Sequence, residues 1–120
     1  MSSSCFERLR LVSEEPRLYR FVSDHGDSLS IFPDRGGLIS SWRVLERECL
    51  YFDSQRFADP SKSIRGGIPV LFPICGNLPD DALSLPTGMY PMPQHGFARD
   101  LPWSLHGLED GSGVELSLRH

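Results

Sequence analysis

"LYRFVSDHGDSLSIFPDRG", residues Leu18–Gly36, is the stretch on which the fold turns. Two short runs rich in aliphatic and aromatic side chains flank His25-Gly26-Asp27, a turn signal that neither run can absorb as helix. In the second run Leu29 and Ile31 fall on one face while Ser28 and Ser30 fall on the other, the period-two pattern of a half-buried strand. Two strands joined across that turn are therefore expected.

The same grammar continues outward. "GGLISSWRVL" and "ECLYFD" read as the next pair of strands, with "ERE" as their polar connection. Near the end, "GVELSLRH" places Val114, Leu116 and Leu118 on one face and Glu115, Ser117 and Arg119 on the other; with "PWSLHGLED" and the "EDGSG" turn it predicts a hairpin. Helical periodicity is confined to Phe6–Val12. Eleven glycines and ten prolines cut the apolar runs short, and there is no internal repeat or low-complexity segment. The expected fold class is all-β, an antiparallel β-sandwich or barrel. The chain stops on Arg119-His120 directly after a strand, where a sheet edge needs a neighbour or protection.

At 120 residues one domain and one hydrophobic core are expected. A net charge of −4 lacks the basic footprint of unspecific nucleic-acid binding. Lys62 is the one lysine; the other eleven basic residues are arginines, whose planar forks suit phosphate and carboxylate groups. Cys5, Cys49 and Cys75 are odd in number and widely spaced, which argues against a disulfide framework or a zinc site and for a reducing compartment. The opening "MSSSCFERLRLVSEEP" has no apolar signal-peptide core, and no apolar run approaches membrane-spanning length. A cytoplasmic protein without membrane or nucleic-acid partners is expected.

Two segments hold candidate chemistry. In "SIRGGIPVLFPICGNLP", Ser63–Pro79, Gly66 and Gly67 allow a sharp turn or a close approach to a ligand, and Pro69 and Pro73 exclude a regular central strand. Taken alone it reads either as a surface turn with a solvated arginine or as Arg65 displayed over a pocket; the P-loop spacing is missing. In "MPQHGFARDLPW", Met92–Trp103, the polar Gln94, His95 and Arg99 interleave with Phe97 and Trp103. Sugar sites use that mixture, aromatic faces meeting the pyranose ring and polar groups bonding its hydroxyls or a phosphate. The plainer alternative is a loop whose histidine bonds backbone and whose arginine pairs with Asp100. His25, His95, His106 and His120 have no metal-ligand spacing, and Asp80, Asp81, Asp100, Glu109 and Asp110 form no evident catalytic pair. His106 and Cys75 read as packing or backbone-bonding residues.

Together, "IRGGIPVLFPICGNLP", a gap, "QHGFARDLPW" and the alternating strand closely resemble the glucose-6-phosphate (D-hexose-6-phosphate) 1-epimerases of the aldose 1-epimerase, or mutarotase, superfamily; "PDRGGLISSWRV" and "ECLYFD" fit its opening strands. The resemblance covers about residues 17–119, after a lead-in at 1–16, and makes the chain a partial epimerase domain, the N-terminal part of a galactose mutarotase-like supersandwich.

The resemblance implies an isomerase that interconverts α and β anomers of a hexose 6-phosphate by ring opening, without metal or organic cofactor. It assigns substrate binding to Arg65, Gln94 and Arg99, two arginines suiting a sugar phosphate, and adds His95 as a pocket histidine contacting the sugar. The family's acid histidine and base glutamate, and a substrate-contacting aspartate, fall C-terminal to the matched region. His120 is too early in the pattern to be the acid, so no catalytic residue is assigned and the chain alone is expected to be inactive. Two other functions remain open: a non-catalytic carbohydrate-binding β-sandwich, and an interaction domain in which both motifs are only turns.

Overall fold

A computed structural model describes residues 8–120. Its first half is a five-stranded antiparallel meander in the order β1-β2-β3-β4-β5: Leu9–Glu14, Arg17–Val22, Ser28–Phe32, Leu38–Val44 and Arg47–Glu48. β2 and β3 are the two strands expected around His25-Gly26-Asp27, and Ser23 closes that turn by accepting the Asp27 amide on its hydroxyl and donating its own amide to the Asp27 carbonyl. Two hairpins follow, β6 (Ala82–Leu85) with β7 (Gly88–Pro91) and β8 (Ser104–Gly107) with β9 (Val114–Ser117). Besides Arg8, which is helical, the described helix is one turn, α1 (Ser54–Phe57), and two 3-10 turns, Pro79–Asp81 and Ala98–Asp100. The protein is all-β and antiparallel, as expected.

Several local expectations change. The helical reading of Phe6–Val12 is corrected from Leu9 onward, because Leu9 and Leu11 pair with Phe21 and Tyr19 in β1–β2; Phe6 and Glu7 lie outside the described residues. In β3 the simple in-out alternation fails, since Ser30 (7% exposed) is covered as well as Ile31 (1%). A bulge in the β3–β4 pairing lies beside them, and neighbouring strand positions bury side chains toward opposite faces, Ile31 on one and Phe32 on the other. The "ERE" connection is displaced: Leu45 and Glu46 form the turn at positive φ (51° and 65°), so Arg47 and Glu48 become β5. The β6–β7 hairpin was not anticipated; Pro86-Thr87 joins it, and Thr87 Oγ1 meets the Tyr90 hydroxyl at 2.7 Å. The β8–β9 hairpin forms as expected, with Val114 and Leu116 on its more covered face.

The central cluster is Phe32, Leu38 and Phe57, flanked by Leu18, Phe52 and Ile64. Phe57 sits between Phe32 and Phe52, at ring-centroid distances of 4.4 and 5.2 Å. α1 brings it there: Asp53 caps the helix by accepting the Arg56 amide at 2.9 Å, and the turn is just long enough to point Phe57 at the sheet.

Glu48 ends the strand ladder with its side chain. The carboxylate accepts from the Ser41 hydroxyl, the Trp42 amide (2.9 Å) and the Leu50 amide (3.2 Å). The Ser41 bond first, helped by the two amides, holds its pKa below the usual carboxylate range, outweighing the burial that raises it. A pKa depressed in the folded state stabilises at pH values above the ordinary glutamate range, and the stabilisation is lost as pH falls through the folded value. Because the group is exposed, Glu48→Gln is expected to cost only about 1 kcal/mol at neutral pH. Urea unfolding should show that difference at pH 7 and its disappearance in acid, where the wild-type carboxylate is protonated too.

Candidate functional site

The two motif segments meet at the corner between β3 and β4. From one side, Ile68 and Ile39 exchange backbone bonds (2.8 and 3.3 Å), and the Gly67 amide donates to the Tyr51 carbonyl at 2.7 Å. From the other, the Gly36 amide donates to the Leu101 carbonyl at 3.0 Å and the Trp103 amide to the Pro33 carbonyl at 2.8 Å. The segments also bond each other: the Phe97 and Ala98 amides both donate to the Phe72 carbonyl, at 3.0 and 3.1 Å. R-G-G-I-P and H-G-F-A-R are thus one connected surface, although about thirty residues separate them in the chain.

Each residue expected to bind substrate has a definite place. Arg65 is exposed, and its carbonyl accepts the Asp53 amide at 3.0 Å, which fixes its backbone beside α1. Gln94 is exposed, and its carbonyl accepts from Arg99 Nη2 at 3.3 Å. His95, half-buried with φ of 64°, is locked twice to Gly76: its amide donates to the Gly76 carbonyl and its Nδ1 accepts the Gly76 amide, both at 2.8 Å. With Nδ1 an acceptor, the proton of the neutral imidazole lies on Nε2, leaving that atom a donor. Arg99 is half-buried on the Ala98–Asp100 turn, and its Nε is buried without a partner. Among the described residues no carboxylate lies within 4 Å of it, so the alternative pairing with Asp100 does not form.

Arg99 and the aromatic side chains near it line different cavities. Phe97 and Trp103 line an apolar groove of about 500 Å³ with Phe72, Leu116 and Leu118, where the His120 ring lies 4.2 Å from that of Phe97 between centroids, tilted by 33°. The Trp103 indole N–H donates to the Ala98 carbonyl at 2.8 Å instead of pointing at a ligand. Arg99 lines a separate cleft of about 290 Å³ with Arg35, Lys62, Ser63, Ile64 and Asp100. Arg35 and Lys62 escaped the sequence reading, although each precedes a motif glycine or arginine by only a few positions. Gln94, His95 and Arg99 share one loop; Arg65 stands on the adjoining segment and does not line the basic cleft. Among the described residues no three histidine, cysteine or acidic side chains gather as metal ligands, and no helix is long and apolar enough to cross a membrane.

Comparison with known proteins places the chain in a family. The family model described as "Aldose 1-epimerase" matches residues 19–120. A Salmonella typhimurium protein named "Putative glucose-6-phosphate 1-epimerase" is 34% identical over 98 residues, which are 80% of this chain and 30% of that protein. Its namesake from Escherichia coli is 35% identical over 98 residues, with the same coverage of 80% and 30%. The crystal structure of a Synechocystis sp. PCC 6803 protein superposes with a TM-score of 0.70 at 47% identity, covering 89% of this chain and 36% of that one. The chain therefore spans about a third of the length of these relatives. With its two motifs joined at one corner of a shared fold and the family match running through nearly all of its strands, this chain belongs to the aldose 1-epimerase family.

Proposed function

We propose that these residues form the substrate-binding part of a hexose-6-phosphate 1-epimerase, with Arg65, Gln94, His95 and Arg99 contacting the sugar phosphate. The observation that carries the reading is the direct hydrogen bonding of the two motifs through Phe72, with no carboxylate within 4 Å of Arg99 among the described residues. A cation held in place and unneutralised is suited to charge-assisted bonds with phosphate oxygens. Gln94 and the Nε2–H of His95 supply neutral groups of the kind that bind sugar hydroxyls. The exposed free thiols of Cys49 and Cys75 fit a reducing compartment such as the cytoplasm; Cys5 lies outside the described residues.

Anomer exchange needs an acid for the ring oxygen and a base for the anomeric hydroxyl. We assign neither role to these 120 residues, so the chain by itself is expected to bind without accelerating exchange. NMR saturation transfer between the α and β anomers of glucose 6-phosphate should stay at the buffer rate, while titration shows binding that Arg65→Ala and Arg99→Ala each weaken about tenfold. Exchange well above buffer that Arg65→Ala abolishes would place the chemistry within this chain. Binding of unphosphorylated sugars as tight as that of glucose 6-phosphate would favour a general carbohydrate-binding module instead.

A further inference from the structure

We infer that Arg35 and Lys62 are anion-specificity residues, forming with Arg99 a cleft that receives the phosphoryl group of the substrate. The sugar part of this statement rests on the function proposed above; the anion site rests on the cleft itself. Three cations line it and one carboxylate, the exposed Asp100, opposes them. Its volume of about 290 Å³ lies at the lower limit of small-molecule pockets, roughly 300 Å³, which suits an anionic group better than a whole sugar phosphate.

Each cation is positioned by a neighbour that does not neutralise it fully. Arg35 follows Asp34, which Arg17 clamps through two bonds of 2.8 and 2.5 Å; these bonds, the larger cause, hold the Asp34 carboxyl below its usual pKa. With Asp34 engaged, the Arg35 guanidinium lies over the Phe57 ring, 4.6 Å from its centroid, with no carboxylate within 4 Å among the described residues. Lys62 Nζ lies 3.9 Å from Asp59 Oδ2, a loose ion pair, while the other oxygen, Oδ1, accepts from the Ser61 hydroxyl and amide at 2.6 and 3.0 Å. Arg56 braces the same loop through the Ser63 carbonyl (2.6 Å) and hydroxyl (3.0 Å). Arg99 brings the buried, unpartnered Nε, an unsatisfied donor at a site where such groups ordinarily find partners. Cations on three segments thus line one cleft against the Asp100 carboxylate, with Asp59 only loosely paired to Lys62, a balance that favours an anion.

Lys62 is the one lysine of the chain, so reductive methylation with ¹³C-formaldehyde leaves a single lysine dimethylammonium resonance to follow. Inorganic phosphate and glucose 6-phosphate are each expected to shift it saturably, while glucose does not. Arg35→Ala should weaken phosphate binding about tenfold. Because Arg35 also packs on Phe57, the exposed Lys62→Ala is measured beside it by calorimetric titration and is expected to lose a similar factor. The inference is overturned if phosphate gives no saturable shift, or if both variants bind phosphate as the parent does. Glucose 6-phosphate binding that depends on Arg65 but ignores Arg35 and Lys62 would sink this inference and leave the proposed function standing. Phosphate binding that needs Arg35 and Lys62, with glucose 6-phosphate no tighter than phosphate, would uphold the cleft and count against the sugar reading.

Discussion

Phe57→Ala is expected to lower the unfolding free energy by about 4 kcal/mol, the large-to-small cost of emptying a buried phenylalanine site. Phe57 is the middle ring of the Phe32–Phe57–Phe52 group and belongs to the central cluster with Leu38. Its removal takes contacts from both neighbours at once, and α1 has no other buried side chain with which to hold the sheet. Against a typical stability of about 5–15 kcal/mol, the loss is large. Thermal unfolding followed by circular dichroism should move down by about 15 °C for a chain of this size. The same substitution takes away the ring beneath Arg35, so phosphate binding should weaken even where the variant remains folded. A change in stability below about 1 kcal/mol would show that the aromatic group is not the center of the core.

Gly36→Ala is expected to cost about 3 kcal/mol or more and to disturb Arg99 directly. Gly36 has φ of 74°, where an L side chain is strained by about 1–2 kcal/mol. The added Cβ would also lie 2.2 Å from the Arg99 carbonyl oxygen and 2.4 Å from its Cα, and neither is a flexible group that could swing aside. Either the Ala98–Asp100 turn moves or the β3–β4 corner does. Gly26 is the matched control: its φ of 84° is similar, but a Cβ there meets nothing within 4 Å. Gly26→Ala should therefore cost about 1 kcal/mol and leave sugar-phosphate binding unchanged. If urea unfolding shows equal losses for the two variants, backbone strain accounts for both, and the contact of Gly36 with Arg99 has no special part.

Much of the strand pattern was legible because it is local. The turn at His25-Gly26-Asp27 and the alternation in Val114–Leu118 depend on φ freedom and a two-residue period, and β2, β3, β8 and β9 formed where those signals lay. The misplacements came from interactions that cross strands. Glu48 replaces ladder bonds with its carboxylate, and the β3–β4 bulge covers Ser30 as well as Ile31, neither of which periodicity can express. Leu9–Val12 carries the end of the local helical pattern, which pairing with β2 overrides.

The residue types of the candidate site, Arg65, Gln94, His95 and Arg99, and the order of their two motifs are properties of the sequence by itself, and they carried the resemblance to the family that the match over residues 19–120 shows. Which side chains share a cavity is not such a property. The tertiary structure parted Phe97 and Trp103 from Arg99 into different cavities and joined Arg99 to Arg35 and Lys62, because the corner between β3 and β4 packs Gly36 against the Arg99 backbone. Spacing along a chain carries information over a few residues; a cleft is made by backbones that approach from distant segments, and only packing decides which ones they are.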